Sequence, residues 1–233
     1  MCKICQSLDK PLPKVQNILD TQALNSEQGT DAWLELRKNY ITASEVASCL
    51  GQCFFKKPQE YIDDRSGLRP IGFVGNEATQ WGNKYEDEAC DEFIRRTGHK
   101  VAFTGLMKCL DPKYPFLGGS PDGITWCGLI VEIKCPFSAK IPTNPHTVPT
   151  HYRAQIQTLM FITQLDGACF IRYRPKGFSP GGIPDASKPM IYNCLEVPRD
   201  PDWIQKHGQT LIDTYNTIQA EKSYREFDEW HIS

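Results

Sequence analysis

The sequence lacks any long hydrophobic run. No segment approaches the roughly 18 consecutive apolar residues of a membrane-spanning helix, and the amino terminus, MCKICQSLDK, has no apolar signal-peptide core. Both absences predict a cytoplasmic or nuclear protein. Neither sign of charge dominates: 26 basic residues stand against 28 acidic ones, for a formal net charge of -2. That balance excludes a wholly basic nucleic-acid coat and leaves a local basic surface open. Repeats and low-complexity tracts are missing too. What is present, 233 residues with 40% hydrophobic, 23% charged and 11% aromatic content, suffices for one sizeable core. The expected organisation is a single domain over residues 26–233, preceded by a flexible arm over 1–25 where periodicity is too weak to predict an element.

Ten cysteines are scattered through a chain too large to need stapling, so they are expected to be reduced thiols. Cys2-x-x-Cys5 has zinc-knuckle spacing, and Cys49-x-x-x-Cys53 could supply a second ligand pair. The second pair lies in apolar surroundings, however, and no nearby histidine completes a set. Sequence alone therefore assigns no zinc site.

Charge is unevenly distributed. From Ile133 to Pro184 six basic residues, Lys134, Lys140, Arg153, Arg172, Arg174 and Lys176, face one acid, Asp166, a local balance of +5 that leaves -7 for the remainder. Glu86, Asp87, Glu88, Asp91 and Glu92 are the densest acidic cluster. A cationic stretch beside carboxylates suits a site that attracts phosphates and holds metal ions near them, although a solvated face beside an acidic helix gives the same pattern.

Thr30 reads as the cap of a helix through Arg37, and Thr42-Ala43-Ser44-Glu45 as a capping box opening a second helix that Gly51 ends. Pro58 to Arg65 is a short third. Trp81, Tyr85, Ala89 and Phe93 recur every four residues before Gly98, which predicts a long amphipathic helix over Glu77 to Arg96. These aromatics, with Trp33, are expected to pack rather than to stack on bases. Strands follow over Lys100–Leu110, Phe116–Gly119, Gly123–Trp126 and Leu129–Lys134, then a helix over Thr150–Thr163, strands over Ala168–Tyr173 and Met190–Val197, and a last helix over Pro201–Lys222. The order predicts an α/β sandwich, a mixed central sheet flanked by helices. His146 and His151 sit in an unpatterned, Pro-rich loop and receive no role.

The segment from Ser120 to Lys134, SPDGITWCGLIVEIK, reads as a hairpin. Alternation puts Leu129, Val131 and Ile133 on one face of its second strand and Glu132 with Lys134 on the other. A two-residue turn at Cys127-Gly128 would set Asp122 opposite Ile133. A three-residue loop, Trp126-Cys127-Gly128 with a left-handed Gly128, would instead pair Asp122 with Glu132, and that loop is predicted. Directly opposed carboxylates repel each other unless a divalent cation lies between them. Two hard oxygen ligands suit Mg²⁺, with Mn²⁺ as a substitute, and a lysine two residues on could hold an attacking water. A surface hairpin with a polar face reading Asp, Glu, Lys is the bland alternative for Glu-x-Lys alone.

Pro121-Asp122 followed by Glu132-x-Lys134 is similar to the PD-(D/E)XK nuclease motif. More specifically, the chain resembles the lambda exonuclease or YqaJ-type viral recombinase family in five ordered blocks: AWLELRKNYITASEV (32–46), WGNKYE (81–86), GSPDG (119–123), VEIKCPF (131–137) and YRAQIQ (152–157). The resemblance implies a PD-(D/E)XK nuclease-like fold and a Mg²⁺-dependent 5′→3′ exonuclease that degrades one strand of duplex DNA, leaving 3′ overhangs for recombination or repair. Asp122, Glu132 and the Ile133 carbonyl would bind metal, Glu86 would add a carboxylate, and Lys134 would orient the nucleophilic water. A pocket for the substrate's 5′-terminal phosphate would comprise Arg37, Ser44, Ser120 and Gln157. Gln155 and Gln157, two apart on a helix, do not share a face, and the resemblance selects Gln157. It further implies a homotrimeric ring around DNA, a single-strand annealing partner, and a protein that is virus-encoded and acts in its host cell. Two alternatives stand beside it: a structure-directed or repair endonuclease of the same fold, and a non-catalytic DNA-binding protein.

Overall fold

The computed structural model describes residues 2–24, 26–68, 75–142 and 146–232, with side chains through 225. In chain order its elements are α1 (Lys3–Ser7), α2 (Pro13–Gln22), α3 (Asp31–Arg37), β1 (Ile41–Thr42), α4 (Val46–Cys49), α5 (Pro58–Arg65), α6 (Glu77–Thr97), β2 (Val101–Ala102), β3 (Met107–Lys108), β4 (Leu117–Gly119), β5 (Gly123–Thr125), β6 (Ile130–Lys134), α7 (Thr150–Thr163), β7 (Gly167–Arg174), β8 (Phe178–Ser179), β9 (Ile183–Pro184), β10 (Ile191–Pro198) and α8 (Trp203–Ile232).

Five strands form the main sheet in the order β10-β7-β6-β5-β2. β6 and β7 run parallel, joined through α7, and the other neighbours are antiparallel, so the sheet is mixed as predicted. Both faces are covered because the strands carry apolar residues on both sides. Val131, Ile133, Ile171 and Tyr173 pack against Tyr85, Ala89 and Phe93 of α6. Ile130, Ala168 and Phe170 pack against Ile156, Leu159 and Met160 of α7. A smaller sheet, β1-β4-β3, lies in the same core as α7. No helix among the described residues is long and apolar enough to cross a membrane.

Three local expectations change. The expected flexible arm instead contains α1 and α2, and Cys5, Val15 and Ile18 are buried. Once Pro13 is read as the first helical residue, Val15, Ile18, Leu19 and Gln22 do fall at helical spacing, and the buried Gln22 amide donates to the Ile162 carbonyl at 3.0 Å. The helix expected from Thr42 to Gly51 shrinks to Val46–Cys49, because Ile41 and Thr42 pair with Leu117 and Gly118 as a strand. The Glu45 carboxylate still accepts from the Thr42 amide at 3.0 Å. The strand expected over Lys100–Leu110 becomes β2 and β3, parted at Gly105, where an added Cβ would meet the Ser26 carbonyl oxygen at 1.8 Å.

Candidate active site

The hairpin register decides the site. Gly123 pairs with Val131 and Ile124 with Ile130, and the ladder stops there, leaving Asp122 just beyond it and close enough to Glu132 to raise its carboxyl. The loop is the predicted Trp126-Cys127-Gly128, closed by the Thr125 amide donating to Leu129 at 2.8 Å and the Gly128 amide donating to Thr125 at 2.9 Å, with Gly128 at φ 96°. Beyond the paired residues the Asp122 amide donates to the Val131 carbonyl at 3.1 Å, one residue off the strand register, and the Ile133 amide donates to the Asp122 carboxylate. Ile133, Asp122 and Glu86 of α6 line one hollow.

Four ionisable groups meet here. The Glu132 side chain is fully buried and forms a close ion pair with Lys134, a quarter exposed, yet neither Glu132 oxygen has a donor in hydrogen-bonding geometry. Burial pushes the Glu132 carboxyl up to about 8; Lys134 opposes that shift, while Asp122 and Glu86 add to it. Burial and the Asp122 charge raise Glu86 to about 7, again against the pull of Lys134. Asp122 is raised by burial, offset by Lys134 and the Ile133 amide. For Lys134 itself burial disfavours the charge, but Glu132 and Asp122 outweigh it and the ammonium is held more firmly than usual. Three carboxylates against one ammonium leave two negative charges uncompensated, the charge of one divalent cation. With both Glu132 oxygens buried, only one of them held by Lys134, and an all-oxygen donor set, the residues present fit Mg²⁺ or Mn²⁺.

Beside the acids lies a polar hollow of about 180 Å³ lined by Trp33, Arg37, Ser44, Ser120 and Gln155, with Glu86 and Asp122 on its wall. Arg37 donates from Nη2 to Ser44 Oγ at 3.2 Å and to Thr42 Oγ1 at 3.3 Å, and its guanidinium stacks over the Trp33 ring at 4.4 Å. The Trp33 indole in turn donates to Ser120 Oγ at 2.9 Å. Arg37, Ser44 and Ser120 are thus brought together as expected. Gln157 is not: its amide donates to Pro198 at 2.9 Å and accepts from Asp200 at 2.8 Å, with the side chain turned into the core. Gln155 occupies the place expected of it, because two residues on a helix turn the side chain by about 200°. Trp33 also lines the hollow, although its helical spacing alone indicates packing; Arg37, one turn on, is the sequence signal for it.

The basic and acidic runs dissolve on folding. Arg174 donates to the Pro136 and Ala139 carbonyls at 3.0 and 2.7 Å. Arg172, which pairs in register with Lys134, is buried with Nε and Nη2 unpartnered. Of the acids, Glu92 binds Arg95 and Arg96, Glu88 accepts from Tyr173, and Glu86 alone of these three faces the hairpin.

Comparison with known proteins places the chain in a family. The model of the YqaJ-like viral recombinase domain matches residues 32–166. Protein R354 of Acanthamoeba polyphaga mimivirus is 29% identical over 161 residues, 63% of this chain and 29% of its own length. YqaJ of Bacillus subtilis is 37% identical over 137 residues, 58% of this chain and 43% of its own. The chain therefore spans less than half the length of these curated relatives. An alkaline exonuclease from Laribacter hongkongensis, solved alone and with dAMP, superposes with a TM-score of 0.68 at 25% identity, covering 88% of this chain and 100% of that one. With the matched segment running from the Arg37 hollow through both carboxylates and Lys134 to α7, this chain belongs to the YqaJ-like viral recombinase domain family.

Proposed function

We propose that the chain is a divalent-metal-dependent 5′→3′ exonuclease acting on linear duplex DNA and leaving 3′ overhangs. The observation that carries the reading is the gathering of Asp122, Glu132 and Glu86 next to a polar hollow lined by Arg37. A duplex end could be seated there by its terminal phosphate while a phosphodiester lies over the carboxylates. The likeness to an alkaline exonuclease supports it.

Asp122, Glu132 and the Ile133 carbonyl would hold Mg²⁺, with Mn²⁺ able to substitute and Glu86 contributing from α6. When bound, the cation supplies charge neutralisation at the phosphate oxygens as the phosphodiester is hydrolysed. Lys134 remains an ammonium while the acids are ionised, so it acts as a donor that fixes the attacking water rather than as its base. Arg37 offers a planar, permanently charged fork, and Ser44 and Ser120 offer hydroxyls, a donor set suited to a terminal phosphate. Gln155, rather than Gln157, would complete it. A homotrimeric ring and a strand-annealing partner belong to this reading as well; gel filtration giving a monomer together with distributive digestion would remove the ring.

The test is digestion of end-labelled linear duplex, with and without a 5′ phosphate, in Mg²⁺ and in chelator. Wild type should prefer the phosphorylated end and stop in chelator. Arg37→Ala should lose that preference, a fall of roughly 10- to 100-fold on the phosphorylated end for one charge-assisted contact worth about 1.5–3 kcal/mol. Cleavage of closed circular duplex at the linear rate would favour the endonuclease instead, and duplex binding without hydrolysis would favour the non-catalytic alternative. A second expectation separates the glutamines. Gln155→Ala should weaken the end preference at unchanged stability. Gln157→Ala should lower stability by about 1–3 kcal/mol, having stranded the Asp200 amide, with the preference intact in thermal melts and digestion run side by side.

A further inference from the structure

Outside the active site, one cluster of ligand-type side chains has no role in hydrolysis. The Sγ atoms of Cys2, Cys5 and Cys127 and a ring nitrogen of His99 all lie within 4.8 Å of one another. Cys2 Sγ is 3.9 Å from Cys127 Sγ, and His99 Nδ1 is 3.4 Å from Cys5 Sγ and 3.5 Å from Cys127 Sγ. A tetrahedral ion held at about 2.3 Å from sulfur and about 2.0–2.1 Å from nitrogen sets its sulfurs about 3.8 Å apart and sulfur about 3.6 Å from nitrogen. Three of the six edges, at 3.9, 3.4 and 3.5 Å, lie close to those values, and the rest are within 4.8 Å. The sulfur spacing is well beyond the roughly 2.05 Å of a disulfide, and all ten cysteines are free thiols.

We propose that Cys2, Cys5, Cys127 and His99 form a structural Zn²⁺ site of the Cys₃His type. Each ligand arrives by a different local device. Cys2 caps α1 and Cys5 follows one turn later, with the Cys5 amide donating to Cys2 Sγ at 3.5 Å. His99 directly follows Gly98, whose left-handed conformation ends α6, and its ring lies parallel to Phe93 at 5.3 Å. Cys127 is the middle residue of the loop that closes the β5–β6 hairpin, and Thr125 Oγ1 approaches its sulfur at 3.3 Å. Backbone bonds already lace the same segments: Cys2 donates to Thr97, Leu12 to Trp126 at 3.0 Å, and Trp126 to Lys100 at 2.8 Å. The thiols lose their protons on binding, and three thiolates with one imidazole select a soft or borderline ion over the hard Mg²⁺ of the active site.

The consequence is mechanical. The ion would pin the amino-terminal segment to the end of α6, which carries Glu86, and to the far end of the hairpin that carries Asp122 and Glu132. It would thereby hold the hairpin on which the gathering of the carboxylates depends. The spacing Cys2-x-x-Cys5 hinted at such a site, and the missing partners were a loop cysteine and a histidine remote in sequence.

The full chain tests this by metal analysis and by substitution with Co²⁺. Wild type should carry one tightly bound zinc per chain, and the Co²⁺ form should show the ligand-field and thiolate charge-transfer bands of a tetrahedral thiolate site. Cys5→Ser and Cys127→Ser should lose both zinc and bands, whereas Cys49→Ser and Asp122→Asn should keep them, the latter separating this site from the active-site acids. Chelation should lower the melting temperature of the wild type, with recovery on adding Zn²⁺ and none on adding Mg²⁺. A wild type free of zinc whose Co²⁺ spectrum lacks the thiolate bands overturns the proposal without reference to any variant. Retention of stoichiometric zinc by Cys127→Ser overturns it equally.

Discussion

Lys134→Ala is expected to slow strand degradation by roughly 10²–10⁴-fold, the range for loss of a positioned proton-transfer or water-orienting group, while a divalent cation still binds. The lysine contacts the Glu132 carboxylate and feels both Glu132 and Asp122, but contributes no oxygen to the cation. Removing it deletes the donor aimed at the water and leaves the acids to repel one another, so their carboxyls should rise further and cation binding should need higher pH. Two consequences can be separated in single-turnover digestion across a Mg²⁺ titration at fixed pH. Loss of charge alone would be repaired by more Mg²⁺; loss of the donor would persist at saturation. Persistence is the expected result, and full recovery at high Mg²⁺ or full activity throughout would contradict the role assigned to Lys134. Lys134→Arg, which keeps the charge but not the compact ammonium, should restore cation affinity more than rate.

Glu132→Gln should abolish activity by roughly 10³-fold, as expected when several kcal/mol of metal-derived stabilisation are lost, and should also change how stability depends on pH. In the metal-free protein Glu132 is raised to about 8 and Glu86 to about 7, against roughly 4.3 for an unfolded glutamate. Between those limits the native state binds more protons than the unfolded one, so stability falls as pH rises through the window and levels off above about 8. At about 1.4 kcal/mol for each pH unit that separates the folded and unfolded values, the Glu132 shift alone corresponds to a loss of roughly 5 kcal/mol. Mg²⁺ should reverse it by replacing the protons, so binding is expected to release protons and to tighten as pH approaches 8. In Glu132→Gln the metal-free slope should flatten, because its main titrating group is gone. Thermal melts in chelator at pH 6 and pH 8.5 measure this directly. An equally steep slope in the variant would show that the buried carboxylate is not what the protein destabilises to hold its cation.

Much of the architecture is legible in the sequence, and the particular elements show why. The helices over Pro58–Arg65 and Thr150–Thr163 fall where proline, capping and periodicity place them, and Gly98 ends α6 as expected. These signals are local, set by backbone sterics and by the side-chain period. The hairpin register is legible for the same reason: a loop length and one left-handed glycine fix which residues face each other.

What the sequence could not decide was anything carried by residues distant along the chain. Thr42 left its expected helix because Gly118 offered a strand partner. Gln155 rather than Gln157 reached the polar hollow because the orientation of α7 is set by the sheet beneath it and by the chain at Pro198 and Asp200. The amino-terminal cysteines met His99 and Cys127 only through the packing of α1 against the end of α6 and the hairpin loop. By itself, then, the sequence determined the order of elements, the mixed sheet and the three-residue loop that turns Asp122 back toward Glu132, because each follows from local geometry. Only the tertiary structure decided which glutamine lines the hollow, which acid of the run on α6 joins the pair, and which thiols assemble, since those depend on how separate elements pack.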